Sequence, residues 1–413
     1  MTLRIDRPPV TWVLAAFLLA APARADVLSQ WTDVCTEAVV TAKQPPFVQT
    51  RTVAMVQVAM FEGVNAITGT YASYVTVTRA ATDAASSPQA AAATAAHDVL
   101  ASVIPEQKAA FDTALQRSLA EVSDAKARGA GVELGHRVAA AVIALRASDG
   151  ASAPNLYRPV TTAGVYVPTI LPGGVTWGKV KPWAMQSPAQ FRPPAPAALS
   201  SADWARDFNE IKQVGGKAST SRTAAQTEAA RFWEMTGAPA YREVIRSATE
   251  APGRSLVQNA RLLSQTAMAW ADSYIAVFDA KYTYNLWRPV TAIRNADIDG
   301  NDATALDPAW VPLIDTPVHP EYPCAHCINV GAITAVIERE FGAHPPTLRS
   351  TSVTLPGVTH SWKTPAELVE EVSNARVWGG VHYRSSTTVG AAMGRKIGTL
   401  VATTTLQPKE ASR

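Results

Sequence analysis

LVQNARLLSQTAMAWADSYIAVFDAKYTYNL, residues 256–286, runs without a glycine or proline into Trp287-Arg288-Pro289. It reads as one long helix from Leu256 to about Leu286, ended just before Pro289, whose ring and missing N–H cannot extend a helix. Two cations close it, Lys281 and Arg288, set among Tyr282, Tyr284, Leu286 and Trp287. A spacing of seven residues, two helical turns, predicts that they project from one face. Such a pair alone is ordinarily a solvated stripe; aromatic and apolar neighbours predict instead that these two are withdrawn from water.

Outward from this helix the same periodicity recurs. Candidate helices are 27–43, 50–68, 88–103, 106–122, 127–148, 201–214, 223–235 and 239–248, and beyond it 323–341, stopped by Gly342, and 365–378. A last helix begins around Ser385–Thr388, whose hydroxyls are suited to N-capping. It carries Gly390, Gly394 and Gly398 at four-residue spacing, which predicts close backbone packing on a neighbour. Between Pro154 and Pro196 nine prolines and scattered glycines exclude a long helix or a central strand. No repeat and no alternating β pattern of consequence appears. The expected fold class is all-α, a helical bundle with one long Pro-rich irregular loop.

The N-terminal segment has the form of a signal peptide: Arg4 and Arg7, an apolar run from Thr11 to Ala21, then Ala23-Arg24-Ala25 as a cleavage site before Asp26. Export to the periplasm or beyond is expected, leaving 26–413 as a single helical domain. The segment carries Arg4, Arg7 and Arg24 against Asp6, so its removal takes the net charge from +3 to +1. A nearly neutral chain offers no electrostatic footprint for nucleic acid, and no later segment is apolar enough to span a bilayer. An oxidising compartment allows one disulfide among Cys35, Cys324 and Cys327. Cys324–Cys327, or a bond from either to Cys35, and two ordinary buried thiols all stay open; a zinc or redox reading lacks the second cysteine pair and the βαβ context.

Two further segments complete a constellation. Pro323-Cys324-Ala325-His326 opens a helix whose first-turn amides have no internal partners and carry the positive end of the dipole. An anion held there gains donors, and a histidine in that turn can pass a proton. Arg376-Val-Trp-Gly-Gly-Val-His382 places a planar, fork-shaped cation and a histidine around a Gly-Gly turn. Taken singly, His326, His382 and Arg376 are as easily structural. Together the three segments supply three permanent cations and two histidines in a chain with only 17% charged residues. A buried oxyanion of charge two or three needs that many donors, which points to phosphate or its structural mimic vanadate.

In this order the segments resemble the motifs of the vanadium-dependent haloperoxidases and the related acid phosphatases of the type 2 phosphatidic acid phosphatase superfamily: Lys-x6-Arg-Pro, Pro-Ser-Gly-His and Ser-Arg-x5-His-x3-Asp. Stretches 55–65, 177–194, 222–233 and 269–294 are similar to the secreted bacterial haloperoxidase-like branch, so the likeness covers nearly the whole mature chain. It implies vanadate as cofactor and hydrogen peroxide with a halide as substrates, with a small organic acceptor as a further partner. Lys281, Arg288 and Arg376 would neutralise the anion's oxygens, together with the Cys324 and Ala325 positions of the second motif. His382 would be the vanadium ligand, or the nucleophile of a phosphatase, and His326 the acid–base residue. His319 falls where bromoperoxidases of the family also have histidine, which favours bromide or iodide.

Four positions depart from the motifs. Cys324 and Ala325 stand for serine and glycine, Ala375 for serine, and Ser386 for the aspartate that normally fixes and charges the ligand imidazole. A thiol is a weaker donor than a hydroxyl, and a free one beside peroxide chemistry is open to oxidation. An acid phosphatase using the same pocket, or a non-catalytic anion-binding homologue, are therefore the alternatives to a haloperoxidase.

Overall fold

The structure, a computed structural model, describes residues 26–78, 80–342 and 344–409; the expected signal peptide, residues 1–25, lies outside them. The helices are α1 (Val27–Thr41), α2 (Pro46–Thr68), α3 (Pro88–Val103), α4 (Lys108–Ala120), α5 (Ala125–Arg146), α6 (Ala202–Gly215), α7 (Ala224–Phe232), α8 (Ala238–Thr249), α9 (Leu256–Tyr284), α10 (Pro289–Arg294), α11 (Ala325–Phe341), α12 (Pro365–Trp378) and α13 (Arg384–Thr404). The fold is helical as the periodicity predicts, and no helix among the described residues is long and apolar enough to cross a membrane.

Two features depart from the expectation. A short antiparallel pair, β1 (Leu348–Thr351) and β2 (Thr359–Trp362), joins α11 to α12. Each strand has four residues, too few for alternation to stand out from a loop. The other is α10, only six residues long.

One apolar cluster extends from Val27 on α1 to Leu406 beyond α13, with α9 running through it buried along nearly its full length. A capping box starts α9: Ser255 accepts from the Gln258 amide while the Gln258 side chain reaches back. The helix ends earlier than Pro289 requires. Asn285 takes the left-handed conformation (φ 49°) and donates its N–H to the Lys281 carbonyl at 2.8 Å. Residues 164–166 of the Pro-rich loop then pin the broken chain: Tyr166 N donates to Asn285 O and Trp287 N to Gly164 O. Arg288 therefore caps α10 rather than continuing α9, so the expected shared helical face is replaced by a bend.

Helices α11 and α13 lie against each other through the glycine stripe. A Cβ at Gly390, Gly394 or Gly398 would run into the Cys324, Ile328 or Ala332 carbonyl of α11. We expect Gly394→Ala to lower stability by about 1–3 kcal/mol, because overpacking against backbone outweighs the helix propensity gained, roughly 1 kcal/mol. Thermal unfolding of the two proteins checks this. The N-terminus of α13 differs from expectation: it begins at Arg384, and no Ser or Thr hydroxyl caps it. Buried carboxylates do so instead. Asp207 of α6 accepts from Ser385 N at 3.0 Å, and Glu321 accepts from Tyr383 N at 3.1 Å.

Candidate functional site

The bend after α9, the start of α11, and the turn between α12 and α13 meet at one place inside the protein. Lys281 is fully buried, and Arg288, Arg376 and His382 are at most 2% exposed; His326 is 6% exposed. Trp287, Tyr322 and Tyr383 form an apolar cluster beside them with Trp204 of α6, so the aromatic setting read from the sequence does withdraw the cations from water.

Each side chain is fixed from the backbone. Lys281, in the last turn of α9, donates its ammonium to the carbonyls of Pro320 and Glu321, both at 2.8 Å. Arg288 donates Nε to His319 O (2.8 Å) and Nη1 to Val381 O (2.9 Å). Its remaining N–H groups meet His319 Nδ1 at 2.9 Å and His382 Nε2 at 3.3 Å. Arg376, in the last turn of α12, donates Nη1 to Trp233 O at 2.7 Å, while its Nε has no partner. Gly380 takes φ +79° in a turn with no room for a Cβ beside Gly215, and the Val381 and His382 amides fold back onto Arg376 O. This brings the His382 ring under Arg288. His326 Nε2 donates to Met235 O at 3.0 Å, and the Tyr241 hydroxyl donates to the His326 carbonyl.

The site also contains a carboxylate that the motif reading did not assign. Glu321 is fully buried, and its Oε1 accepts from His382 Nδ1 at 2.8 Å. Its amide is held by Leu286 O. Arginine has no acceptor, so its contact with His382 Nε2 requires a lone pair there and places the proton on Nδ1, facing Glu321. The sequence signal is a lone acid in the otherwise uncharged run His319-Pro-Glu-Tyr-Pro323, which leads into the second motif. Ser386, in the position of the expected aspartate, is buried one turn into α13. Its hydroxyl helps to lower the Glu321 pKa, though neither Ser386 Oγ nor Glu321 Oε2 has a partner in regular geometry.

Cys324 and Cys327 form a disulfide, and Cys35 is a buried free thiol. The Cys324 sulfur accepts from Cys327 N at 3.2 Å and caps α11. It therefore offers an anion no thiol proton, and the exposure of a free second-motif thiol to peroxide does not arise. Ala325 begins α11, where its amide has no intrahelical acceptor.

The electrostatics follow from burial with too little negative charge. Burial, then repulsion from Arg288, holds the Lys281 ammonium well below its usual value; burial takes Arg288 and Arg376 down to about 10. The same two effects, burial and the cations, keep His326, His382 and His319 well below the usual imidazole range and so neutral. Glu321 is pushed up to about 7 by burial, against the pull of Lys281 and Arg288. Three cations thus share one carboxylate, with an orphaned Arg376 N–H and an unprotonated His382 Nε2 at the same centre. Among the described residues no cluster of histidine, cysteine and carboxylate could hold a metal cation. The donor set fits a tetrahedral oxyanion tethered through one imidazole nitrogen, and so fits vanadate or phosphate.

Comparisons with known proteins bear on the fold that carries these segments. Residues 261–409 match the family model described as the VCPO second helical-bundle domain, a span containing all three motifs. A search of curated proteins finds no match. Among solved structures, a bacterial vanadium-dependent iodoperoxidase superposes with TM-score 0.81 at 24% identity, covering 94% of this chain and 98% of that one. Apo and holo forms of a bacterial vanadium-dependent chloroperoxidase give TM-scores of 0.70 and 0.67 at 18% and 17% identity, over 86% and 87% of this chain and 92% and 91% of theirs. The chain has the vanadium haloperoxidase fold.

Proposed function

We propose that this chain, which carries the vanadium haloperoxidase fold and the matching second-bundle segment, is an exported vanadate-dependent haloperoxidase that oxidises iodide or bromide with hydrogen peroxide. The observation that carries the reading is the convergence of Lys281, Arg288 and Arg376 on a His382 ring whose Nε2 is left unprotonated. Bound vanadate would supply an electrophilic centre that activates peroxide without changing its own oxidation state.

The rest is done by the protein. His382 Nε2 would tether the oxyanion, and the Nδ1–H bond to Glu321 fixes the ring's tautomer and angle. Arg288 and Arg376 stay charged despite burial, so their fields act on oxygen charge without solvent rearrangement. Lys281 is held by two carbonyls and gains its proton most firmly when an anion is present. Its ammonium would then offset negative charge on the bound anion. His326 donates Nε2–H to Met235 O, leaving Nδ1 as the nitrogen that can accept a proton. Burial and the neighbouring cations keep it neutral, so its Nδ1 could take a proton from peroxide and give it back. His319 stands between Arg288 and Phe278, its ring centroid 5.3 Å from that of Phe278, at the position which favours the larger halides in this reading.

The test is reconstitution. We expect metal-free protein incubated with vanadate to gain iodide- and bromide-dependent peroxidase activity, with phosphate competing for the same site. Absence of any gain over the apo-protein between acid and neutral pH would sink the proposal. Phosphomonoester hydrolysis inhibited by vanadate would assign the pocket to a phosphatase instead.

A further inference from the structure

We propose that Glu321 replaces the missing third-motif aspartate as the residue that positions and charges the His382 imidazole, an assignment that rests on His382 being the ligand. A carboxylate in that role must reach Nδ1, hold a fixed place, and be shielded from water. Glu321 meets each condition. Its Oε1 is 2.8 Å from His382 Nδ1, and the side chain is fully buried. Its position is set on both sides by main-chain bonds: the amide donates to Leu286 O and the carbonyl accepts from Lys281. A second bond, from Tyr383 N to the same oxygen, ties the carboxylate to the start of α13. Ser386 sits where the sequence pattern would put the acid, buried, its hydroxyl without a regular partner. In this chain the acid comes from the segment before α11 rather than from α13, and it contacts the imidazole directly.

The consequence is specific to a ligand bonded through nitrogen. A carboxylate behind Nδ1–H increases electron donation from Nε2 and so strengthens a bond from Nε2 to vanadium. It does nothing favourable for an anion held only by the surrounding cations, because its own charge repels that anion. Vanadate and phosphate therefore respond differently to its loss. A purely structural Glu321 would affect both alike.

Equilibrium dialysis of vanadate and of phosphate against the folded full-length mature protein separates these cases. For Glu321→Gln we expect vanadate affinity to fall about 10–100-fold, with phosphate affinity unweakened. Adding Ser386→Asp to that variant is expected to restore vanadate binding to within a few-fold of wild type, since it returns the charge from the other side. Equal losses of both anions in Glu321→Gln, or no loss of vanadate, would overturn the assignment. So would a wild-type protein that prefers phosphate to vanadate. A wild type that prefers vanadate yet oxidises no halide defeats the function proposed above and leaves this inference standing.

Discussion

His382→Ala should leave less than about one-thousandth of the wild-type rate of vanadate-dependent iodide oxidation, the scale expected when an enzyme loses a group acting directly on the reacting centre. The three cations would still attract an oxyanion, so the variant is expected to bind phosphate while losing the preference for vanadate. Small added imidazole should recover part of the rate, since the truncated ring leaves its own volume empty beside Glu321. The Glu321 carboxylate loses its imidazole bond and keeps Tyr383 N, and leaving a buried acceptor under-satisfied costs about 1–3 kcal/mol. A thermal melt alongside the kinetics distinguishes an inactive folded protein from an unfolded one. A His382→Ala protein retaining more than a tenth of the wild-type rate would remove His382 from the tether role.

Much of the architecture could be read from the sequence because helix periodicity and proline placement are local signals. The spans 88–103 and 365–378 match α3 and α12 at both ends, and most other boundaries differ by a few residues. The α9 terminus was misplaced because Asn285, not Pro289, stops the helix. An asparagine in the left-handed conformation gives a much weaker sequence signal than a proline. The convergence of Lys281, Arg288, Arg376, His326 and His382 was legible through motif order. The reason for it was not: Lys281 and Arg288 share a pocket through a bend rather than through a common helical face. The Glu321–His382 pair spans 61 residues of sequence and leaves no periodic trace. The disulfide was one of three open readings, since composition cannot distinguish paired from unpaired thiols. The carbonyls of Trp233 and Met235, which orient Arg376 and His326, are invisible to any reading of side-chain types.

Arg288→Gln should abolish the stabilisation that an oxyanion confers on the wild-type protein. In the free protein the charge of Arg288 is disfavoured by burial, and it in turn depresses Lys281 and Arg376. Removing it relieves that repulsion. It also leaves the carbonyls of His319 and Val381 without its donors, at about 1–3 kcal/mol for each unsatisfied group. These terms oppose each other, so the free variant is expected to be destabilised only modestly. With ligand present the balance changes. An anion at a hundred times its dissociation constant stabilises the wild type by about 2.7 kcal/mol. That corresponds to a rise of several degrees in melting temperature, because the pocket's excess positive charge is then matched. Arg288→Gln removes one of the three cations and the donor beside His382 Nε2, and the same vanadate or phosphate concentration should shift its melting temperature by no more than a degree. Chloride at equal ionic strength is the control, since screening by salt weakens exposed charges far more than a buried cluster. A variant that keeps the wild-type shift would show that the anion is held elsewhere on the protein, and the assignment of this pocket would fall with it.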